Sequence, residues 1–166
     1  MNKALLCLFL CLSVCQALFA QTDSSVTPSV IKTLTLKQYA DYKKGPALAE
    51  MALPATMNGY PMPDEVLKYK KELKLLPVQV TRLTEISKYL QLKKTEIGQS
   101  VLRNEKKLDE MFSTKKLDEG SITFYGNRYG LYEGEYRTSV LTACYNTYNS
   151  LTQPQLTKFW QLKNQK

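Results

Sequence analysis

The sequence predicts an all-α protein built on a long antiparallel helical hairpin with short flanking helices. Two long stretches carry apolar residues at helical spacing, and a polar corner at Lys115–Gly120 separates them. Similar pentapeptides at 75–79 and 151–155 stand where helices should begin. No βαβ alternation or strand repeat favours another fold class.

The first twenty residues have the pattern of an export signal. Lys3 supplies the positive start, residues 4–19 form an apolar run that is short for a membrane span of about 20 residues, and Ala20 is a plausible cleavage position. The alternative is lipid anchoring at Cys15, because residues 12–15 resemble a lipobox, although a small residue is wanted before the Cys. We expect an exported protein.

The region before the hairpin is predicted to be mostly irregular. Ser and Thr predominate at its start, a short helix would be interrupted at Gly45-Pro46, and three prolines with Asn58-Gly59 predict an irregular segment over 54–63. Asp64–Leu75 is predicted to be a short helix. The predicted organisation is a signal peptide at 1–20, a flexible tether at 21–35, a strap at 36–63 and the helical domain at 64–166.

The first long stretch predicts one helix from Pro77 to about Ser113, which would be about 55 Å long. No proline interrupts residues 78–114, and the apolar residues recur at steps of three, four or seven. The predicted core face is Leu83, Ile86, Leu90, Ile97, Val101, Leu108 and Phe112.

The second long stretch also predicts a helix, with a strand as the alternative at its start, where Ile122–Tyr125 is β-prone. Helical spacing continues over four turns, until Asn149-Ser150 breaks the pattern. Four tyrosines share the core face, and a half-open face would satisfy their hydroxyls without a buried network. The predicted face is Ile122, Tyr125, Tyr129, Tyr132, Tyr136, Val140, Ala143, Cys144, Thr147 and Leu151.

The pentapeptide at 151–155 reads L-T-x-x-Q and predicts a capping box for a last helix through Leu162. Thr152 would cap free amides, and Gln155 would reach back to the N–H of Thr152. The copy at 75–79 keeps Gln79, but Leu76 replaces the capping Thr.

Composition argues against an enzyme. The chain has no histidine, which removes the usual general base and the commonest zinc ligand, and it has no nucleotide-binding or hydrolase motif. Cys144 is the only cysteine beyond the signal, so we expect no internal disulfide and a buried thiol. A copper site at Met51, Met57 and Met62 is disfavoured, because no His or Cys lies nearby in sequence. We expect no cofactor and no metal.

The charge and the exposed residues indicate binding. The net charge is +8, from dispersed basic residues that suit an acidic or anionic partner. The row Gly126, Gly130 and Gly134 would either soften the helix or open a groove. A second set of apolar residues, the outer line, points away from the core and would need a cover. The outer line is Leu92, Phe124, Leu131 and Tyr145.

With its export signal, long hairpin and two pentapeptides, the chain resembles the Spy/CpxP family of periplasmic LTXXQ proteins. The resemblance covers about residues 64–163. Just ahead of this range, Tyr60–Pro63 resembles a Pro-Met-Pro turn of some family members. This chain departs from the family in its degenerate first motif, its lack of histidine and its Gly/Tyr-rich second helix. The family-motif residues are Leu75, Gln79, Leu151, Thr152 and Gln155.

The resemblance implies a thin, curved homodimer in the periplasm with a basic concave face. It further implies an ATP-independent chaperone of the stress response that binds unfolded or acidic proteins, or alternatively a regulator that docks on the periplasmic domain of a stress-sensor kinase. Nothing in the sequence indicates a nucleic-acid partner. The expected client-binding residues are Arg82, Lys88, Arg103, Lys106, Phe124, Leu131 and Arg137.

Overall fold

The structure is a computed structural model that describes residues 29–44 and 48–165. The predicted signal peptide and the tether as far as residue 28 lie outside the described residues. The described part is all-α and contains no strand. Its helices are α1 (Leu36–Lys44), α2 (Leu48–Thr56), α3 (Pro63–Lys68), α4 (Pro77–Ser113), α5 (Glu119–Asn149) and α6 (Gln153–Asn164).

The two long helices are α4, with 37 residues, and α5, with 31. The predicted bounds of α4 and the predicted end of α5 are confirmed, and Ile122–Tyr125 is helical rather than extended. The amide of Gln79 donates to the carbonyl of Ser150, and that of Asn104 donates to the carbonyl of Tyr125 at 3.1 Å. The start of α4 therefore meets the end of α5, and the two helices run in opposite directions.

At the corner between α4 and α5, Asp118 caps the start of α5. The backbone N–H of Ser121 donates to Asp118 Oδ1 at 2.6 Å. This backbone hydrogen bond lowers the pKa of the Asp118 carboxyl, because it stabilises the ionised form. The charge also favours the positive N-terminal end of the helix.

The core has two clusters, both nearer to the pentapeptides than to the corner. One is formed mainly by α2 and the facing parts of the two long helices. The other joins α3 and the start of α4 to α6. The first contains Ala52, Met62, Leu90, Ile97, Tyr136, Val140, Ala143 and Cys144. The second contains Val66, Leu73, Leu83 and Phe159.

The predicted core faces are wrong near the corner. Phe112 is 58% exposed, and Ile122 is also exposed. The reason is geometric: two helices alone bury only the side chains that lie directly between them, and among the described residues no other element packs over these positions. Periodicity marks a face, but it does not give the depth of cover along that face.

Three predictions before Pro77 are wrong. The end of the tether is packed, because Ile31 and Leu34 are buried and the N–H of Ser29 donates to the carbonyl of Leu34 at 2.9 Å. In the strap, α1 ends at Lys44, next to the predicted interruption at Gly45-Pro46, but α2 continues through Pro54 to Thr56, where an irregular segment was predicted. Ala52 anchors α2 in the core. α3 ends at Lys68 rather than Leu75.

Successive turns replace the last part of the predicted 64–75 helix. Leu73 is buried in the second core cluster, and Lys74 adopts a left-handed backbone with φ 48°. Through these turns Leu73 lies in the same core cluster as Phe159. The strap also packs on the long helices, α1 against α4 and α2 against α5.

Candidate functional site

The two pentapeptides meet through their glutamines. Gln79 Nε2 donates to Gln155 Oε1 at 2.9 Å, and Gln155 Nε2 donates back to Gln79 Oε1 at 3.1 Å. Gln79 also donates to the carbonyl of Ser150 at 2.9 Å. Each Oε1 accepts the N–H at its own helix start, from Leu76 and from Thr152, both at 2.9 Å. The motif residues thus join the start of α4 to the start of α6.

The sequence analysis predicted the two caps separately and missed their pairing. Thr152 completes a full capping box, because its hydroxyl accepts from the N–H of Gln155 at 3.4 Å. Leu76 has no acceptor, so α4 has only the glutamine half of the box. Leu75 and Leu151 are half-buried against the second core cluster.

A third L-T-x-x-Q pentapeptide, Leu34–Gln38, was missed altogether. The N–H of Thr35 donates to Gln38 Oε1 at 2.9 Å, and the N–H of Gln38 donates to Thr35 Oγ1 at 3.1 Å. This full box starts α1. Its letters stand in the sequence as plainly as those at 151–155, but they fall within the segment that the Ser/Thr-rich composition suggested to be a tether.

The structure brings some of the expected client-binding residues together at the corner end of the two long helices. Arg103 and Phe124 line one cavity of about 270 Å³, which we call the arginine cavity. A wider depression of about 590 Å³ adjoins it and contains Phe124 and Leu131. The arginine cavity is lined by Ser100, Arg103, Asn104, Lys107, Phe124, Tyr125, Arg128 and Tyr132.

Other expected residues do not converge on this site. Lys106 lies with Arg103 in a depression beside Ile31, whereas Arg82, Lys88 and Arg137 are exposed and line neither the arginine cavity nor its neighbour. Arg82 is about 30 Å along α4 from Arg103, by the helical rise per residue. The predicted set is therefore a dispersed basic surface with one concentrated end.

The outer line remains at the surface. Phe124 is 51% exposed and Leu131 66%, and Leu92 and Tyr145 are exposed to similar extents. α1 and α2 pack on other parts of the long helices and leave these side chains uncovered among the described residues.

Arg128 is the functional candidate that the sequence analysis missed. Its guanidinium carbon lies 5.1 Å from the Phe124 ring centroid and 5.5 Å from that of Tyr132, and its Nε donates to the Tyr132 hydroxyl at 3.1 Å. The spacing in the sequence could have identified Arg128. Phe124, Arg128 and Tyr132 are four residues apart, so their side chains stack along one helix face.

Asn104 lies in the wall of the arginine cavity and is 4% exposed. Its Nδ2 donates to the carbonyl of Tyr125, but its buried Oδ1 has no hydrogen-bond partner among the described residues. Leaving a buried acceptor unpaired typically costs about 1–3 kcal/mol. Such an unpaired buried atom is uncommon in a native fold.

A second polar cluster joins α1 to α5. The hydroxyls of Tyr42 and Tyr129 lie 2.7 Å apart, and that of Tyr42 donates to Glu133 Oε1 at 3.5 Å. Burial raises the pKa of both Tyr42 and Glu133. Tyr129 remains 37% exposed while Tyr136 is fully buried, so the tyrosine face is open at one end.

Cys144 is buried, as predicted, with its Sγ 3.3 Å from Met62 Sδ. Burial raises the pKa of its thiol to about 11. Among the described residues, no three His, Cys, Asp or Glu side chains cluster as a metal site would require.

The described residues define a class, an all-α protein with two long packed helices and short helices around them. No helix in the described part has the length and apolarity needed to cross a membrane. Comparison of the chain with protein-family models, curated proteins and solved structures gives no match.

Proposed function

We propose that the protein is an exported, periplasmic chaperone of LTXXQ type that binds unfolded or exposed protein segments without ATP. The observation that carries the proposal is the exposed apolar pair Phe124 and Leu131 beside the guanidiniums of Arg103 and Arg128, which form no ion pair within the described part of the chain. Such a surface suits chains that are both acidic and apolar.

Charge and apolar contact would have separate parts in binding. The dispersed basic residues, including Arg82, Lys88, Lys106 and Arg137, attract an acidic chain over several ångströms, and salt screens this attraction. Phe124 and Leu131 then hold apolar side chains weakly. The sequence has no nucleotide-binding motif, so release is passive.

The proposed architecture is a thin, curved hairpin that forms a homodimer. The opposed contacts along α4 and α5 support the hairpin. Leu92 and Tyr145 belong to the half of the hairpin nearer the pentapeptides, where a second copy would cover them and leave Phe124 and Leu131 for clients. Sedimentation should show a dimer at tens of micromolar, and Leu92→Asp should dissociate it; a wild-type monomer at that concentration contradicts the dimer.

An aggregation assay with a denatured acidic client tests the chaperone. At equimolar protein and low salt we expect suppression of light scattering, with a loss of suppression at high salt. Phe124→Ser with Leu131→Ser should weaken suppression, whereas Val78→Ser, an exposed apolar residue at the start of α4, should not. Absence of suppression by the wild type contradicts the proposal, and pull-down of one folded membrane partner instead would favour the sensor-kinase regulator.

A further inference from the structure

The arginine cavity contains two guanidinium groups that donate hydrogen bonds to neutral oxygens. Arg103 Nη2 donates to Ser100 Oγ at 2.9 Å, and Arg128 Nε donates to the Tyr132 hydroxyl at 3.1 Å. Both guanidiniums are thus oriented by neutral oxygens. Among the described residues neither forms an ion pair, in contrast to Lys163, which is paired with a carboxylate.

The cavity is also partly preorganised. The Arg128 side chain is held over the rings of Phe124 and Tyr132, so it has less freedom to lose when a ligand binds. A guanidinium presents parallel N–H donors that match the two oxygens of a carboxylate. Lys107 adds a third cation to the lining and shares its charge with Glu110 at 3.2 Å.

The size of the cavity limits the ligand. Its volume of about 270 Å³ is below the roughly 300–1,000 Å³ of pockets that enclose a drug-sized molecule. It suits one side chain or one chain end. The adjoining depression, where Phe124 and Leu131 lie, has room for an apolar neighbour of that group. An isolated inorganic anion would make no use of this second, apolar part.

We propose that the arginine cavity is the anchoring site for the carboxylate of an acidic side chain in a bound polypeptide, next to an apolar residue of the same polypeptide. Arg103 and Arg128 bind the carboxylate, and Phe124 and Leu131 contact the neighbouring apolar side chain. The proposal rests on the proposed function and assigns one part of its surface a specific role.

Fluorescence anisotropy tests this with a labelled, unstructured peptide of Glu, Leu and Ser, and with a copy in which every Glu is Gln. We expect the Glu peptide to bind more tightly. Arg103→Gln and Arg128→Gln should each weaken its binding roughly tenfold or more, as loss of a charge-assisted hydrogen bond predicts. The controls Lys71→Gln and Lys158→Gln remove the same charge at exposed positions outside the cavity and should change it by only about twofold. Circular dichroism and urea unfolding establish that each variant is folded.

Two results would overturn the anchoring site. One is an equal loss in all four variants, which would mean diffuse attraction by net charge. The other is binding of the Gln copy as tightly as the Glu peptide, which would mean that the cavity does not bind the Glu carboxylate. In either case suppression of client aggregation by the wild type would leave the proposed function standing, whereas failure of that suppression bears on the function itself.

Discussion

Gln79 and Gln155 exchange a reciprocal pair of amide hydrogen bonds, and each also accepts the first N–H of its own helix. One contact therefore closes α4 and α6 onto each other. The glutamines are 76 positions apart in the sequence, and most of α4 and all of α5 lie between them.

Loss of either glutamine should destabilise the protein through both the cap and the pair. Gln79→Ala and Gln155→Ala should each lower the free energy of unfolding by about 1–3 kcal/mol, measured by urea denaturation. The double variant should lose clearly less than the two single losses together, because both remove the same bonds. Gln38→Ala, which affects a cap without a partner motif, is the control and should cost less. Additive losses would contradict the energetic pairing.

The glycine row should tolerate a methyl group. A Cβ added at Gly126, Gly130 or Gly134 would meet nothing within 4 Å. Replacement by Ala should therefore stabilise α5, by up to about 1 kcal/mol at each position, since glycine is the poorer helix former. Gly59→Ala is the contrasting control, because φ is +85° there and the substitution should destabilise. If client binding weakens while stability rises, the row serves function through its flexibility.

Cys144 should be unreactive in the folded protein. Its pKa of about 11 leaves almost no thiolate at neutral pH, and the thiol is fully buried against Met62. A coloured disulfide reagent at pH 8 should label it only after addition of denaturant. Rapid labelling of the native protein would mean that α2 opens readily from α5. Because the folded pKa is raised above the ordinary 9.0, stability from this group is present below pH 9 and is lost as the pH rises toward 11.

Glu133 should make the stability of the α1–α5 contact depend on pH. Burial raises the pKa of this carboxyl in the folded protein above its ordinary 4.5. A raised pKa means that the folded state holds the proton more tightly, so the contribution of Glu133 to stability is present below pH 4.5 and decreases as the pH rises above that value. Glu133→Gln should therefore stabilise the protein more at pH 7 than at pH 4. Thermal melts at both pH values measure this, with exposed Glu85→Gln as control; equal shifts would count against the burial effect.

The local sequence predicted several helix starts and helix faces. Pro77 and Thr152 mark helix starts, and apolar spacing marks the faces of α4 and α5, because capping and periodicity act within a few residues. The buried thiol of Cys144 followed from its place on such a face. The exposure of Phe124 and Leu131 followed from their place opposite it.

Only the tertiary structure decided which of these features meet. Three features depend on how distant segments of the chain pack against each other. They are the pairing of Gln79 with Gln155, the convergence of Arg103 with Arg128, and the burial of Ile31. Such contacts join residues far apart in the chain, and their free energy comes from removing apolar surface from water around them. No single segment contains that information, which is why the faces of the helices were predictable from the sequence and the arginine cavity between them was not.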